Sequence, residues 1–179
     1  DLASLALTKD DTVIGLSASG RTPYVCGGLR YARQLGCSTA AIACSPNAVM
    51  FSHADIAICP LVGPEALTGS TRMKSGTAQK MILNMISTAT MVKLGKTYEN
   101  LMVDVNATNA KLKARAKRIV MQATQCTEEV AAETLSAADN HAKLAILMIL
   151  TNTDVDTARK HLAESQGYLR GAMGHREIP

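Results

Sequence analysis

GPEALTGSTRMKSGTAQK, residues 63–80, joins a turn, an acid and a run of small polar residues to the start of a long helix. The apolar residues that follow have the i, i+3, i+4, i+7 spacing of one buried helical face, and they stand at positions 78, 81, 82, 85, 86 and 89. Gly95, two residues after Lys93, is a helix stop signal. The stretch therefore predicts a long core helix from about Ala78, around which the rest of the chain is organised.

The start of this helix is a candidate anion site. The first backbone N–H groups of a helix have no partner within it, and the helix dipole is positive there. Ser70, Thr71, Arg72 and Lys74 would add hydroxyl and cationic donors suited to phosphate or sugar oxygens. Small polar residues are also ordinary helix caps. The pattern alone fits an anion site and a well-capped core helix equally well.

A second polar run follows a predicted strand nearer the N-terminus. Thr12–Leu16 is short, apolar and rich in β-branched residues, which predicts a central parallel strand buried on both faces. Thr22 is a natural N-cap and Pro23 suits the first helical position, so a helix is predicted to run from there to about Leu35. The sequence thus predicts a strand, a polar loop and a helix in immediate succession.

The loop between this strand and helix is the second candidate phosphate site. It holds five residues suited to that role, Ser17, Ser19, Gly20, Arg21 and Thr22. Hydroxyls and a permissive glycine at a helix N-terminus, beyond the carboxyl end of a strand, are typical of phosphate-binding loops. The loop matches neither a Walker motif nor a GxGxxG fingerprint, and small residues also form plain tight turns. Both interpretations remain open on the pattern.

The remaining chain sets the fold class. Two further strands, Thr39–Cys44 and Ile56–Cys59, predict an α/β domain in which a parallel sheet is flanked by helices. From about residue 121 the pattern is helical and repeats weakly at an offset of 27 residues. We predict a partial phosphosugar-type domain at residues 1–120 and a small all-helical domain at residues 121–179. Residues 175–179 are expected to be frayed.

Composition limits the classes of partner. The 179 residues are 47% hydrophobic and carry a net charge of +4, but only 3% are aromatic and the basic residues are spread along the chain. We therefore expect neither nucleic-acid binding nor a membrane span. Five cysteines without CxxC spacing and four scattered histidines (His53, His141, His161 and His175) predict no metal site, and the cysteines fit a reducing cytoplasm. The first residues, DLASLAL, are expected to be an interior start of a longer protein.

Three stretches together resemble one known family. They are residues 63–80, GLSASGRTPYV at residues 15–25 and LMVDV at residues 101–105. They strongly resemble the N-acetylmuramic acid 6-phosphate etherases, which are related to glucokinase regulatory protein. The resemblance runs along nearly the whole chain and implies a sugar isomerase domain with a ubiquitin-associated-like helical tail, in a homodimer. It also implies an enzyme that cleaves the D-lactyl ether of a phosphorylated amino sugar without a metal or an organic cofactor.

The resemblance implies binding residues but no catalytic ones in this chain. In the family two glutamates serve as acid and base, and both lie upstream of the motif at residues 15–25, so they would precede residue 1. Residues 17 and 19–22 would form the second sugar-phosphate loop, while Glu65, Ser70, Thr71, Arg72 and Lys74 would line or brace the site. Glu65 is expected to orient hydroxyls or cap the helix rather than act as acid or base.

Two alternatives to the enzyme remain open. A non-catalytic phosphosugar-binding regulatory protein would keep both loops and dispense with the glutamates. A purely helical interaction module would rest on the tail alone and would leave both loops unexplained. Acids at the family positions in the preceding sequence would favour the enzyme.

Overall fold

The structure is a computed structural model that describes residues 1–105 and 108–174. The chain divides into two compact units, Asp1–Ile86 and Ser87–Pro179. The sequence-based division at residues 120 and 121 stays a prediction. A helix at Ala110–Thr124 spans that division and packs with the helices that follow it. The predicted fraying of residues 175–179 falls outside the described residues, as do residues 106 and 107.

The first unit contains the predicted parallel sheet. Its elements in chain order are β1 (Thr12–Leu16), α1 (Pro23–Gln34), β2 (Ser38–Ile42), β3 (Ile56–Ile58) and the start of α2 (Lys74–Lys93). Both strand pairings are parallel, with Thr12 opposite Ser38 and Ala40 opposite Ile56. The predicted α/β class is therefore confirmed, and β1 has the predicted bounds.

The predicted position of β1 in the sheet is wrong. The strand order is β1-β2-β3, so β1 lies at one edge and β2 is the central strand. The burial follows this order, since Gly15 is the one buried residue of β1 whereas β2 is buried from Thr39 to Ile42. Gly15 faces α1 so closely that a Cβ there would lie 2.8 Å from Val25 and 2.9 Å from Leu29. An apolar, β-branched run indicates a strand with two buried faces, but the number of strands that pair with it decides whether it is central.

The predicted burial of α2 is also wrong. Ser75 is the only buried residue in this helix, although the helix ends near the predicted stop and Gly95 has φ +68°. Met81 and Met85, on the apolar stripe, are 53% and 60% exposed. The spacing correctly predicts a helix with an apolar face. It cannot supply the surface that would cover that face, and the described residues of the first unit leave most of it open.

The second unit is helical apart from a short hairpin. Its elements are β4 (Thr97–Tyr98), β5 (Leu101–Met102), α3 (Ala110–Thr124), α4 (Glu128–Ala137), α5 (Ala142–Thr151), α6 (Val155–Glu164) and α7 (Leu169–Ala172). Its core contains Val103, Val120, Ile146 and Leu147, all fully buried. The predicted all-helical tail is confirmed as a group of packed helices, in which α5 contacts α3, α4 and α6.

The weak repeat corresponds to two helix–turn–helix units. The turn between α4 and α5 has positive φ at Asp139 and Asn140, and the turn between α6 and α7 has positive φ at Gln166 and Gly167. These pairs are 27 residues apart, the offset that the sequence predicts. The cap of α6 is Asp154, whose side chain accepts the hydrogen bond from Thr157 N.

Candidate functional site

The polar loop after β1 is held by backbone hydrogen bonds to the segment after β2. Ser17 N donates to Ile42 O at 3.1 Å, and Cys44 N donates to Ala18 O at 3.0 Å. Gly20 has φ +67°, and a Cβ at this position would lie only 2.1 Å from the Cβ of Ala48. Only glycine allows this close approach without a backbone shift. The loop conformation is therefore set by its contacts with residues 42–48.

Three predicted hydroxyls meet within this loop. Ser17 Oγ lies 2.8 Å from Thr22 Oγ1 and 3.4 Å from Ser19 Oγ. The same Ser17 Oγ accepts a hydrogen bond from Gly20 N at 3.1 Å. Ser17 is half-buried, whereas Ser19 and Thr22 are exposed. We call Ser17, Ser19 and Thr22 the hydroxyl cluster; its outer members can still reach a ligand from solvent.

The hydroxyl cluster stands at a helix start that has no side-chain cap. Thr22 occupies the predicted N-cap position of α1 and Pro23 the first helical position, but the Thr22 side chain makes no capping hydrogen bond. Its hydroxyl is directed to Ser17 instead. Pro23 has no N–H to be satisfied. This end of α1 therefore combines the positive end of the helix dipole with three hydroxyls, a combination suited to an anion.

Glu65 closes the start of α2. Its two carboxylate oxygens each accept one backbone hydrogen bond at 3.0 Å, Oε2 from Lys74 N and Oε1 from Ser75 N. These hydrogen bonds, that from Lys74 N above all, hold the pKa of Glu65 below its ordinary value of 4.5. The structure agrees with a helix cap as one of the two roles expected for Glu65.

The predicted supply of unpaired N–H groups at the start of α2 is wrong. Besides the two groups bound to Glu65, Gly76 N donates to Thr71 O at 3.1 Å and Thr77 N donates to Met73 O at 3.2 Å. The first four donors of the helix are thus all satisfied within the chain. A helix cap was one of the roles expected for Glu65, but the loss of both first donors to it was not predicted, because Glu65 is nine residues before Lys74, outside the local windows in which caps are recognised.

The other predicted residues of this stretch surround the closed helix start. Lys74 Nζ donates to Pro64 O at 2.7 Å and so ties the helix start to the Gly-Pro turn. Ser70 is half-buried, and its N–H donates to Leu67 O at 3.0 Å. Thr71 and Arg72 are exposed, as is Arg21 in the first loop. Lys74 has a structural partner, whereas Thr71 and Arg72 present their side chains to solvent.

One carbonyl connects the two predicted stretches. Ile42 O, at the end of β2, accepts a hydrogen bond from Ser17 N at 3.1 Å and another from Gln79 Nε2 at 3.4 Å. The loop that holds the hydroxyl cluster and the second turn of α2 are therefore both hydrogen-bonded to the same end of β2. This is the carboxyl end of a parallel sheet, where ligands bind in open α/β folds.

Two residues that hold this arrangement were not singled out from the sequence. Ser75 is 4% exposed and is the only buried residue of α2, and Gln79 makes the contact to Ile42. They are four residues apart in the helix, so they share one face. That spacing of two polar residues at the start of an apolar helix is the signal that could have identified them.

An apolar groove of about 620 Å³ also lies in the first unit, along β1 and α1. Val13, Leu16, Val25 and Leu29 are among its lining residues, and the hydroxyl cluster is not. Tyr24, at its rim, is 71% exposed. The groove therefore borders the edge strand and differs in chemistry from the hydroxyl loop.

In residues 1–105 and 108–174 no group of three or more His, Cys, Asp or Glu side chains could hold a metal ion. The expectation of no metal stays a prediction. Among the helices that the structure describes, none is long and apolar enough to cross a membrane.

Comparison with known proteins adds independent information. Residues 3–89 match the SIS domain family. The chain is 60% identical over 177 residues to the N-acetylmuramic acid 6-phosphate etherase of Pseudoalteromonas atlantica, covering 99% of this chain and 58% of that protein. Etherases of the same name from Vibrio campbellii and Pectobacterium atrosepticum are 59% and 61% identical, each over 97% of this chain and over 56% and 57% of their own lengths.

These relatives favour the etherase interpretation over the regulatory protein, since the matches are named as etherases. The chain spans somewhat more than half the length of the curated relatives it matches. With identities near 60% along nearly all of its residues, and a match to the SIS domain family at residues 3–89, the chain is similar to the N-acetylmuramic acid 6-phosphate etherases over the part of their length that it spans.

Proposed function

We propose that this chain is the phosphosugar-binding part of an enzyme that cleaves the D-lactyl ether of N-acetylmuramic acid 6-phosphate. The products would be N-acetylglucosamine 6-phosphate and D-lactate. The observation that carries the proposal is the hydroxyl cluster, with Ser17 Oγ 2.8 Å from Thr22 Oγ1, at a start of α1 that lacks a side-chain cap. The names of the relatives supply the substrate, which the geometry alone does not.

The phosphate is assigned to the loop at residues 17–22. Ser19 and Thr22 are exposed and can donate hydroxyl hydrogen bonds to phosphate oxygens, and the guanidinium of Arg21 adds a positive charge beside them. Ser17 orients the other two hydroxyls from its half-buried position. Ser70, Thr71 and Arg72, in the loop before α2, are assigned to the sugar, and Glu65 and Lys74 brace that loop.

The acid and the base of the ether cleavage are assigned to residues outside this chain. Elimination needs both groups on the same substrate, and each contributes about 10²–10⁴-fold. Glu65 uses both oxygens as a cap, and its lowered pKa makes it a poor proton donor near neutral pH. Asp104 is paired with Lys96 and with Lys143, whose Nζ lies 3.6 Å away, and its pKa is lowered chiefly by the Lys96 hydrogen bond.

The wider setting follows from the proposed reaction. The enzyme would act as a cytoplasmic homodimer in the recycling of cell-wall amino sugars, with no cofactor. The isolated chain would expose the unpaired edge of β1 and the apolar side of α2, both of which promote self-association. Restoring the rest of the enzyme should cover these surfaces.

The proposal is tested by assaying D-lactate release from N-acetylmuramic acid 6-phosphate. The chain alone is compared with the same chain joined to the N-terminal portion of a relative such as the Pseudoalteromonas atlantica etherase. We expect no release above background from the chain alone and release from the joined protein, because only the latter would carry the acid and the base.

Two outcomes would contradict this assignment. Comparable release by both proteins would place the chemistry in this chain and make Glu65 the first residue to mutate. No release by a joined protein that is folded and dimeric would argue against the etherase activity itself.

A further inference from the structure

Glu65 occupies the place at which an external anion would bind α2. A helix start attracts anions through its free N–H groups and through the positive end of its dipole. Here the anion is the chain's own carboxylate, which accepts from Lys74 N and Ser75 N at 3.0 Å each. A phosphate could reach these two donors only by displacing Glu65.

The surroundings of Glu65 would otherwise suit a phosphate well. The loop it closes holds two hydroxyl residues, Ser70 and Thr71, and two cations, Arg72 and Lys74. Arg72 is exposed, and Lys74 Nζ bonds Pro64 O at 2.7 Å. A second phosphate-attracting helix start would therefore lie in the same unit as the hydroxyl cluster if Glu65 were absent.

The same hydrogen bonds fix the loop between Glu65 and α2. The Glu65 carboxylate accepts hydrogen bonds from the N–H groups of the first two residues of the helix. Lys74 Nζ donates to Pro64 O, in the turn that precedes Glu65. A further hydrogen bond, which Gly76 N donates to Thr71 O at 3.1 Å, connects the loop to the first turn of α2. Residues 66–73 are thus held at both ends by contacts that depend on one carboxylate and one ammonium group.

We propose that Glu65 is a specificity-determining and positioning residue: its carboxylate closes the start of α2 to phosphate, leaves the start of α1 as the phosphate site, and holds residues 66–73 in place. This deepens the proposed function and rests on it. The acid then serves neither as proton donor nor as proton acceptor in the ether cleavage. It decides which of two similar helix starts receives the phosphate.

The test uses inorganic phosphate as the probe and the backbone amide resonances of the chain as the readout. In the wild type, phosphate should shift the resonances of residues 19–22 and leave those of Lys74 and Ser75 unchanged. In Glu65→Ala, the Lys74 and Ser75 resonances should also shift with phosphate and saturate, because their N–H groups are then free to bind it. Glu65→Gln, which keeps the side-chain volume and loses the charge, should give an intermediate response.

Asp154→Ala provides the matched control. Asp154 is another carboxylate that caps a helix, accepting from Thr157 N at 2.9 Å at the start of α6. We expect phosphate to bind Asp154→Ala at Thr157 more weakly than it binds Glu65→Ala at Lys74, because Asp156 keeps a negative charge in the first turn of α6, whereas the first turn of α2 has no acidic residue. Circular dichroism of each variant verifies that its helices are retained.

Three results would overturn the inference. They are a phosphate response at Lys74 and Ser75 in the wild type, no response there in either folded Glu65 variant, and equal responses in Glu65→Ala and Asp154→Ala. Failure of the proposed phosphate site is seen separately, as the absence of a wild-type response at residues 19–22. The two failures can therefore be distinguished.

Discussion

The starts of α1 and α2 have similar sequences and different structures. Each follows a run of small hydroxyl residues, glycine and arginine, SASGRT before α1 and TGSTRM before α2. The start of α1 has no side-chain cap, and its hydroxyls bond one another. At the start of α2, Glu65 satisfies the N–H groups of Lys74 and Ser75.

The difference shows that a polar run before a helix does not by itself define an anion site. Whether a helix start can bind an anion depends on whether another group of the chain already accepts hydrogen bonds from its first N–H groups. Glu65 does this from nine residues away, and nothing comparable is found at α1 within the described residues. Each prediction below acts on one of these helix starts and uses the other as its reference.

The largest expected effect comes from a glycine in the first loop. Gly20→Ala would place a Cβ 2.1 Å from the Cβ of Ala48 and 3.0 Å from its Cα, at φ +67°. Overpacking and the left-handed backbone together should lower the free energy of unfolding by about 2–4 kcal/mol. Urea unfolding followed by circular dichroism measures the change.

Gly63, in the turn before Glu65, is the control for this variant. It has φ +68°, but a Cβ there would meet no heavy atom within 4 Å. Gly63→Ala should therefore cost only the backbone term, about 1 kcal/mol. Equal losses in the two variants would show that the contact between Gly20 and Ala48 does not shape the first loop.

A smaller effect on stability is expected when the pH is lowered enough to protonate Glu65. The pKa of Glu65 is lowered in the folded chain, so its stabilising effect is complete above the unfolded value of 4.5 and is lost as the pH falls through the folded pKa. The amide resonances of Lys74 and Ser75 should move in that acidic range. Those of residues 17–22, whose side-chain hydrogen bonds come from hydroxyls, should not follow the same transition.

A pH titration by NMR of the wild type and Glu65→Gln checks this expectation. The variant has no carboxylate at this position, so its Lys74 and Ser75 resonances should lack the transition. A wild-type midpoint at or above 4.5, or a transition that persists in Glu65→Gln, would argue that the cap does not hold Glu65 in its charged form.

Local chemistry made most of the first unit predictable. β1 has the predicted bounds, and α1 begins at Pro23, because β-branched runs and an X-Thr-Pro helix start are local signals. β2 and β3 were predicted with their ends displaced by one or two residues. The hydroxyl cluster was also predictable, since its members are at most five residues apart and lie on one turn.

What the sequence did not reveal depends on distant partners. β1 lies at an edge because, among the described residues, it pairs only with β2. α2 is exposed because the described residues of the first unit leave most of its apolar face uncovered. A cap by Glu65 was expected as one of two roles, but not that it would take both of the first N–H groups of α2. The connection of both stretches depends on Ile42 O, which is 37 residues before Gln79. Periodicity describes the face that an element offers and leaves open what packs on it.

The central claim is that the phosphate binds at the start of α1 and not at the start of α2. Calorimetric titration with N-acetylglucosamine 6-phosphate tests it in the wild type, in Ser19→Ala and in Ser70→Ala, with unphosphorylated N-acetylglucosamine as the reference ligand. We predict that Ser19→Ala weakens binding of the phosphorylated sugar by about 1–3 kcal/mol, that Ser70→Ala weakens it less, and that the unphosphorylated sugar hardly distinguishes Ser19→Ala from the wild type. A larger loss in Ser70→Ala, or an equal effect of Ser19→Ala on both sugars, would contradict the claim.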